Sequence, residues 1–178
     1  MRMAVRGDES AFARLWRDNQ PPLQRYLRVV TADNPDDVAS EVWLEVARGL
    51  ERFRGGEGEF RAWLFTLARR RVVDVRRYHA RRPVVLSGNP GDLDRRAGDD
   101  TAATALENMA TDAALELIAT LPREQAEIIV LRVIACLDVA QVAELIGKKP
   151  GAVRVAAHRG LRTLAARLSA TADGTVTR

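Results

Sequence analysis

Seven arginines crowd residues 69–82, and Asp74 is the one carboxylate among them. Solvated helices usually alternate the signs of their charges, so a run of one sign favours a surface that binds an anion. Apolar side chains recur through the same segment at helical spacing, which gives it a face that can pack. A helix with a dense arginine face and a buried face that carries aromatic side chains is typical of a helix lying on nucleic acid. A solvated charged helix is the alternative. The arginines are Arg69, Arg70, Arg71, Arg76, Arg77, Arg81 and Arg82, and the apolar residues are Phe60, Trp63, Leu64, Leu67, Ala68, Val72 and Val75.

A second set of cations follows a short motif near residue 140. Asp138 and Gln141 fit a capping box at a helix start, and Gly147 suits a left-handed residue at the helix end. Pro150 opens the next helix. Together with the small Ala143 and a valine at position 153, this spacing predicts a helix–turn–helix; a helical hairpin without a DNA role is the alternative. The second helix would present five side chains to phosphates or base edges: Lys149, Arg154, His158, Arg159 and Arg162.

The sequence offers no catalytic or metal-binding constellation. His79 and His158 have no cysteine or acidic ligand partner nearby in the sequence. The glycines at 55–58 are not followed by the lysine of a phosphate-binding loop, and no serine or cysteine has a suitable base. The single Cys136 excludes an intrachain disulfide and is expected to be a small buried hydrophobe. We therefore expect a binding protein and not an enzyme, with no cofactor and no metal.

Helical periodicity dominates the chain, and strand signals are scarce. Residues 8–30 predict one helix, which the prolines at 21 and 22 should break or kink. Asn34 caps a second helix, with Pro35 at its first position and acids in its first turn. A flexible glycine loop and the arginine helix follow. Further helices are expected to start at Thr111 and at Pro122.

Charge and aromatic content divide the chain into parts. Residues 1–82 hold 17 basic and 12 acidic residues (net +5), residues 83–110 hold 2 and 5 (net −3), and residues 111–178 hold 9 and 7 (net +2). All nine aromatic residues precede residue 83, which predicts two separate cores. We expect an all-α fold of two small helical domains, 8–82 and 111–168, joined by an acidic flexible linker (83–110) and followed by a disordered tail (169–178).

No apolar run approaches membrane-spanning length, and no signal peptide opens the chain. We therefore expect no membrane insertion and a cytoplasmic location.

The order of these features resembles a bacterial RNA polymerase sigma factor of the extracytoplasmic-function class, in the sigma-70 family. The resemblance rests on the acidic helix at residue 36, the glycine loop, the Phe60–Leu64 motif with its arginines, the acidic linker and the helix–turn–helix. It covers about residues 9–168. It implies that residues 8–82 are sigma region 2 and residues 111–168 sigma region 4. The implied function is a specificity subunit that binds core RNA polymerase and directs initiation at −35 and −10 promoter elements.

For region 2, the resemblance implies two surfaces. The helix after Asn34 resembles the one that binds the clamp helices of the largest polymerase subunit. The glycine loop and arginine helix resemble the part that captures a flipped base and meets the upstream edge of the −10 element. Trp63 is expected to serve mainly the core, and Asp74 to pair with an arginine. The polymerase-facing residues are Asp36, Asp37, Ser40, Glu41, Trp43 and Leu44, and the −10-facing residues are Arg54, Gly55, Gly56, Phe60, Arg61, Trp63, Arg69, Arg70, Asp74, Arg76 and Arg77.

For region 4, Leu121 and Pro122 resemble the start of the segment that docks near the polymerase flap. The residues implied to read the −35 element in the major groove are Lys148, Lys149, Gly151, Arg154, His158, Arg159 and Arg162. The chain also departs from the family pattern. Ser40 and Arg70 stand where Gln and Asn are frequent, and Ala152, Val155 and Ala156 replace a common Thr, Ser and Arg. The preferred −35 sequence therefore cannot be taken from the family.

The resemblance implies three partners: core RNA polymerase, promoter DNA and an anti-sigma factor that covers the polymerase-facing surfaces of both modules. Two rival functions remain. A free-standing helix–turn–helix regulator would bind a palindrome as a dimer, but it leaves the motifs of residues 36–77 unexplained and no dimerisation heptad is evident. A polymerase-binding protein whose DNA motifs have decayed is supported only by the weakened recognition helix.

Overall fold

A computed structural model describes residues 1–81 and 102–175, with side chains described for residues 1–81 and 109–170. Within these ranges the secondary structure is entirely helical, as the sequence predicts, and none of the helices is long and apolar enough to cross a membrane. The α-helices are α1 (Arg2–Val5), α2 (Glu9–Val30), α3 (Pro35–Gly49), α4 (Glu57–Arg81), α5 (Ala102–Ala119), α6 (Arg123–Val133), α7 (Val139–Ile146) and α8 (Pro150–Thr175), and a 3-10 turn spans Leu50–Arg52.

Two N-caps start helices of the first module, and the one at Asn34 was predicted from the sequence. The Asp8 carboxylate accepts a hydrogen bond from the Ala11 amide at 2.7 Å, and the Asn34 side chain accepts one from the Asp36 amide at 2.9 Å. Of the two predicted effects of the prolines, a break or a kink, the break does not occur, since α2 runs through both. The amide hydrogen bonds that they remove would have ended on the carbonyls of Arg17 and Asp18, which are exposed residues that water can reach.

Three predicted boundaries were also wrong. Helix α4 starts at Glu57, so Gly58 belongs to the helix and not to the loop. Helix α5 starts at Ala102 instead of Thr111, which makes the end of the predicted linker helical; the rest of that linker lies outside the described residues. Helix α8 continues to Thr175, through most of the segment expected to be a disordered tail.

The two modules share one continuous hydrophobic core, so the prediction of two separate cores was wrong. Helix α2 joins them, because it packs on α3 and α4 of the first module and on α5 and α6 of the second. Tyr26 of α2 is fully buried and lies edge-on to Phe65, with ring centroids 5.4 Å apart. Helix α6 packs on α2, and its buried Ile128 and Leu131 belong to the same hydrophobic cluster as these rings. The aliphatic module thus buries part of its surface against the aromatic one.

Candidate nucleic-acid interface

The C-terminal helix pair has the geometry of a helix–turn–helix. Asp138 and Gln141 form both hydrogen bonds of a capping box, at 2.8 and 2.9 Å. Gly147 ends α7 in the left-handed region, with φ of 72°, which a residue with a Cβ adopts at a cost. Ala143 and Val153 are buried where α7 meets α8. These contacts fix the angle at which α8 is presented.

Helix α8 and the turn before it expose the cations that the sequence assigns to DNA. Lys149, Arg154, His158, Arg159 and Arg162 are all exposed, as is Gly151 in the first turn. Lys148 is also exposed, but its ammonium lies 3.1 Å from a Glu124 carboxylate oxygen. Val155 is half exposed on the same helix and offers an apolar contact of the kind that a thymine methyl group accepts.

Helix α4 differs from the bare cationic face that its sequence suggests. Arg70 Nη2 lies 3.1 Å from a Glu45 oxygen of α3, and Arg71 forms an ion pair with Glu41. Arg76 donates to the Val30 carbonyl and so ties α4 to the end of α2. The expected pairing of Asp74 with an arginine is a loose surface contact, 3.9 Å from Arg77. Much of the arginine charge is therefore balanced within the fold, largely by acids of α3.

Arg69 pairs with the other module. Its Nε donates to Glu127 Oε1 of α6 at 2.9 Å, and the buried Tyr26 hydroxyl donates to the same oxygen at 3.2 Å. Glu127 is buried, with 8% of its surface exposed. Burial raises the pKa of Tyr26 well above its usual value, and the nearby Glu127 carboxylate raises it further. These three groups, the Tyr26–Arg69–Glu127 triad, join the arginine helix to α6.

This triad is not apparent from residue spacing, although the sequence carries one signal of it. Glu127 is the lone acid in the run Ala126–Leu131, whose other five members are all apolar and buried. An acid at such a position requires a buried partner because a desolvated carboxylate is costly on its own. The identity of the partners depends on how α2, α4 and α6 pack, which one sequence does not show.

The loop before α4 is built around aromatic rings. Phe53 stacks on Trp63 with centroids 5.2 Å apart and planes inclined by 23°, and it meets Phe60 edge-on at 5.8 Å. Phe60 is fully buried, so it supports the loop from the core and cannot touch a DNA base. Trp63 is half-buried and packs against the core, as expected, and a Cβ on Gly49 would lie 2.9 Å from its ring.

Polar contacts hold the same loop in shape. Arg54 donates to the carbonyls of Glu51 and Phe53, both at 2.9 Å, and the Gly56 amide donates to a Glu59 carboxylate oxygen at 2.9 Å. Gly55, with φ of 153°, leaves no room for a side chain: a Cβ there would lie 2.8 Å from the Glu59 Cβ. Arg61 follows in α4, where its Nε is buried without a hydrogen-bond partner among the described residues.

Helix α3 presents most of the predicted polymerase-facing residues. Asp37, Ser40 and Leu44 are exposed, and Leu44 keeps 55% of its surface accessible despite being apolar. Asp36 accepts a hydrogen bond from the Gln24 side chain at 2.7 Å. Trp43, in contrast, is buried and donates to Gln20, so it positions the helix and cannot offer its ring to a partner.

The expectation for Cys136 was wrong. Its side chain is exposed, and its φ of 52° lies in the left-handed region. The residue occupies the connection between α6 and α7, where the neighbouring Ala135 and Leu137 face inward instead.

Comparison with known proteins matches each module to a family. Residues 15–82 match Sigma-70 region 2, and residues 111–164 match Sigma-70, region 4. The chain is 33% identical over 172 residues to the ECF RNA polymerase sigma factor ShbA of Streptomyces griseus, an alignment covering 92% of this chain and 90% of that protein. It belongs to the extracytoplasmic-function sigma factors of the sigma-70 family.

Two further known proteins are similar to the chain, one in sequence and one in fold. The sigma factor is 34% identical over 177 residues to SigD of Mycobacterium tuberculosis, covering 96% of this chain and 82% of SigD. The solved structure of CnrH in complex with the cytosolic domain of CnrY has the same fold, with a TM-score of 0.61 and 22% identity over 94% of each chain. The chain therefore directs promoter-specific transcription initiation and is not an enzyme.

Proposed function

We propose that this sigma factor binds polymerase and promoter DNA through three surfaces. Exposed residues of α3 bind the clamp helices of the largest polymerase subunit. The glycine loop and α4 bind the −10 element, and α8 reads the −35 element in the major groove. The observation that carries the proposal is the complete helix–turn–helix, which presents the exposed Arg154, Arg159 and Arg162 on a helix fixed by its caps and by buried Val153.

The surface on α3 combines charge with apolar area. Asp37 and Leu44 are both exposed, and Leu44 stands out because large exposed aliphatic residues are few among the described residues of this module. An exposed apolar residue beside carboxylates suits a basic partner helix that also buries an apolar side chain. We propose that Asp36 and Ser40 lie at the edge of this contact and that the start of region 4 docks near the polymerase flap.

Transcription from native promoters tests the −35 assignment. The double variant Arg154→Ala/Arg159→Ala should retain binding to core polymerase but lose most transcription from promoters that the wild-type holoenzyme uses. The double variant Arg14→Ala/Arg17→Ala is the matched control, since it removes two exposed arginines of α2. Equal activity of the two variants would contradict the assignment of α8 and favour a polymerase-binding protein whose DNA motifs have decayed.

The −10 assignment is better tested at Arg77 than at Arg76, because Arg76 also holds the end of α2. Arg77→Ala should reduce promoter opening, measured by permanganate reactivity of unpaired thymines, and should leave core binding unchanged. Normal opening by this variant would show that Arg77 takes no part.

We also propose that an anti-sigma factor controls the chain by covering its polymerase-facing surfaces. Affinity purification of the chain from uninduced cells should recover a second protein. That protein should compete with core polymerase for the chain, and it should not bind the Leu44→Asp variant. Recovery of core polymerase alone in every growth state would argue against this control.

A further inference from the structure

A cleft of about 790 Å³ lies between the N-terminal helix α1 and the glycine loop. Met1, Arg2, Val5 and Arg6 line one side, and the segment from Glu51 to Glu57 contributes the other. The matched region 2 begins only at residue 15, so α1 lies outside it. One wall of the cleft is thus a loop of the matched region 2, and the other lies outside the residues that match it.

Helix α1 is held firmly enough to serve as a wall. Ala4 is buried with 3% of its surface exposed, and Met1 and Val5 pack against the core. The Asp8 amide donates to the Met3 carbonyl at 3.1 Å, across Gly7 with its φ of 86°. These contacts turn the chain back at residue 7 and fix α1 beside the 3-10 turn.

The wall carries unpaired positive charge. Arg2 and Arg6 are exposed, and within the described ranges neither guanidinium has an ion-pair or hydrogen-bond partner. They differ in this from Arg69, Arg70 and Arg71 of α4, which are paired with carboxylates. Two carboxylates, those of Glu51 and Glu57, also line the cleft, but the three arginines at positions 2, 6 and 54 outnumber them.

The opposite wall is aromatic and polar. Phe53 lines the cleft, and its ring is fixed by stacking on Trp63. Arg54 is held to loop carbonyls, so its charge stays at the cleft while its position is set by the loop. A groove with cations along one side and an aromatic edge on the other suits single-stranded nucleic acid, whose backbone is anionic and whose bases are flat and apolar.

We propose that Arg2 and Arg6 bind backbone phosphates of the separated DNA strand as it passes the glycine loop. Helix α1 would then complete the −10 site of this sigma factor. The inference rests on the proposed −10 role of the loop and adds the N-terminal helix to it.

The test uses the salt dependence of DNA binding by the holoenzyme. The probe is a promoter that the wild-type holoenzyme transcribes, with its −10 region kept unpaired by mismatches. Each phosphate contact on a single strand contributes about 0.7 to the slope of log affinity against log salt, so Arg2→Ala/Arg6→Ala should flatten that slope by about 1.4. The ratio of wild-type to variant affinity should then fall about sevenfold as the salt concentration rises from roughly 50 to 200 mM.

Two further variants sharpen the result. The control Arg14→Ala/Arg17→Ala removes the same charge from residues that do not line the cleft, and it should keep the wild-type slope. Glu51→Gln removes a carboxylate from the cleft and should tighten binding to the same probe.

Three outcomes would overturn the proposal. A slope for Arg2→Ala/Arg6→Ala equal to that of the control means that α1 does not touch the strand. Weaker association with core polymerase at an unchanged DNA slope assigns the cleft to a protein contact. If Arg77→Ala and Gly55→Ala also leave promoter opening and DNA binding intact, the proposed −10 role of the loop itself fails. If those two variants impair opening or binding but Arg2→Ala/Arg6→Ala does not, only the inference about α1 fails.

Discussion

Replacing Glu127 should destabilise the contact between the two sigma modules. Glu127→Ala leaves the buried Tyr26 hydroxyl without its acceptor, and an unsatisfied buried hydroxyl costs about 1–3 kcal/mol. The Arg69 side chain keeps 29% of its surface exposed, so water replaces most of its lost partner and adds little to this cost. We therefore expect a loss of about 2 kcal/mol in the free energy of unfolding. Glu127→Gln retains an acceptor oxygen and should lose less.

A double-mutant cycle separates this contact from the rest of the fold. Urea unfolding followed by tryptophan fluorescence should give one cooperative transition for the wild type, because buried residues of both modules form a single cluster. Tyr26→Phe alone should cost about 1 kcal/mol, and the coupling between Tyr26→Phe and Glu127→Ala should be about 0.5–1.5 kcal/mol. A coupling indistinguishable from zero would refute the role of the triad, as would two widely separated transitions in the wild type.

Three further predictions concern Tyr26, Gly147 and Glu127. The fold raises the pKa of Tyr26, so Tyr26 stays neutral at a pH where the same tyrosine in the unfolded chain has ionised, near pH 10. The free energy of unfolding should therefore fall as pH rises above that value, by up to about 1.4 kcal/mol per pH unit. Tyr26→Phe should flatten this dependence in chemical unfolding curves. Gly147→Ala should lower the free energy of unfolding by about 1–2 kcal/mol, since it forces a Cβ into the left-handed region in otherwise open space; an unchanged midpoint would contradict that reasoning. Glu127→Gln should tighten binding of single-stranded −10 DNA by the free chain, because it weakens the ion pair that occupies Arg69. Fluorescence anisotropy measures this affinity. Equal affinities of the variant and the wild type would show that the ion pair does not keep Arg69 from DNA.

Local features were predictable where one segment carries its own stop and start signals. Asn34 with Pro35, and the capping box of Asp138 and Gln141, were read correctly because the side chain and the amide that it caps are two or three residues apart. The prolines of α2 do not break the helix, and the sequence could not show this because their cost depends on whether the carbonyls that they leave unpaired face water. The start of α5 was missed because residues 102–110 lack a clear periodicity.

The candidate sites divide in the same way. Residue types and spacing indicated the exposed cations of α8 and the acids of α3, whose accessibility follows from an amphipathic pattern. Burial of Trp43 and Phe60, which the sequence placed at binding surfaces, depends on Phe53, Gln20 and other residues brought in from separate elements.

The sequence by itself determined that this chain is helical, that it has two modules and that its motifs are those of a sigma factor. These properties follow from periodicity, caps and the order of motifs, all of which are short-range. Only the tertiary structure decided that Arg69, Arg70 and Arg71 are paired with carboxylates, that Glu127 joins the two modules and that α1 stands beside the glycine loop. Ion pairing and clefts depend on distances of a few ångströms between side chains far apart along the chain, and packing alone sets those distances.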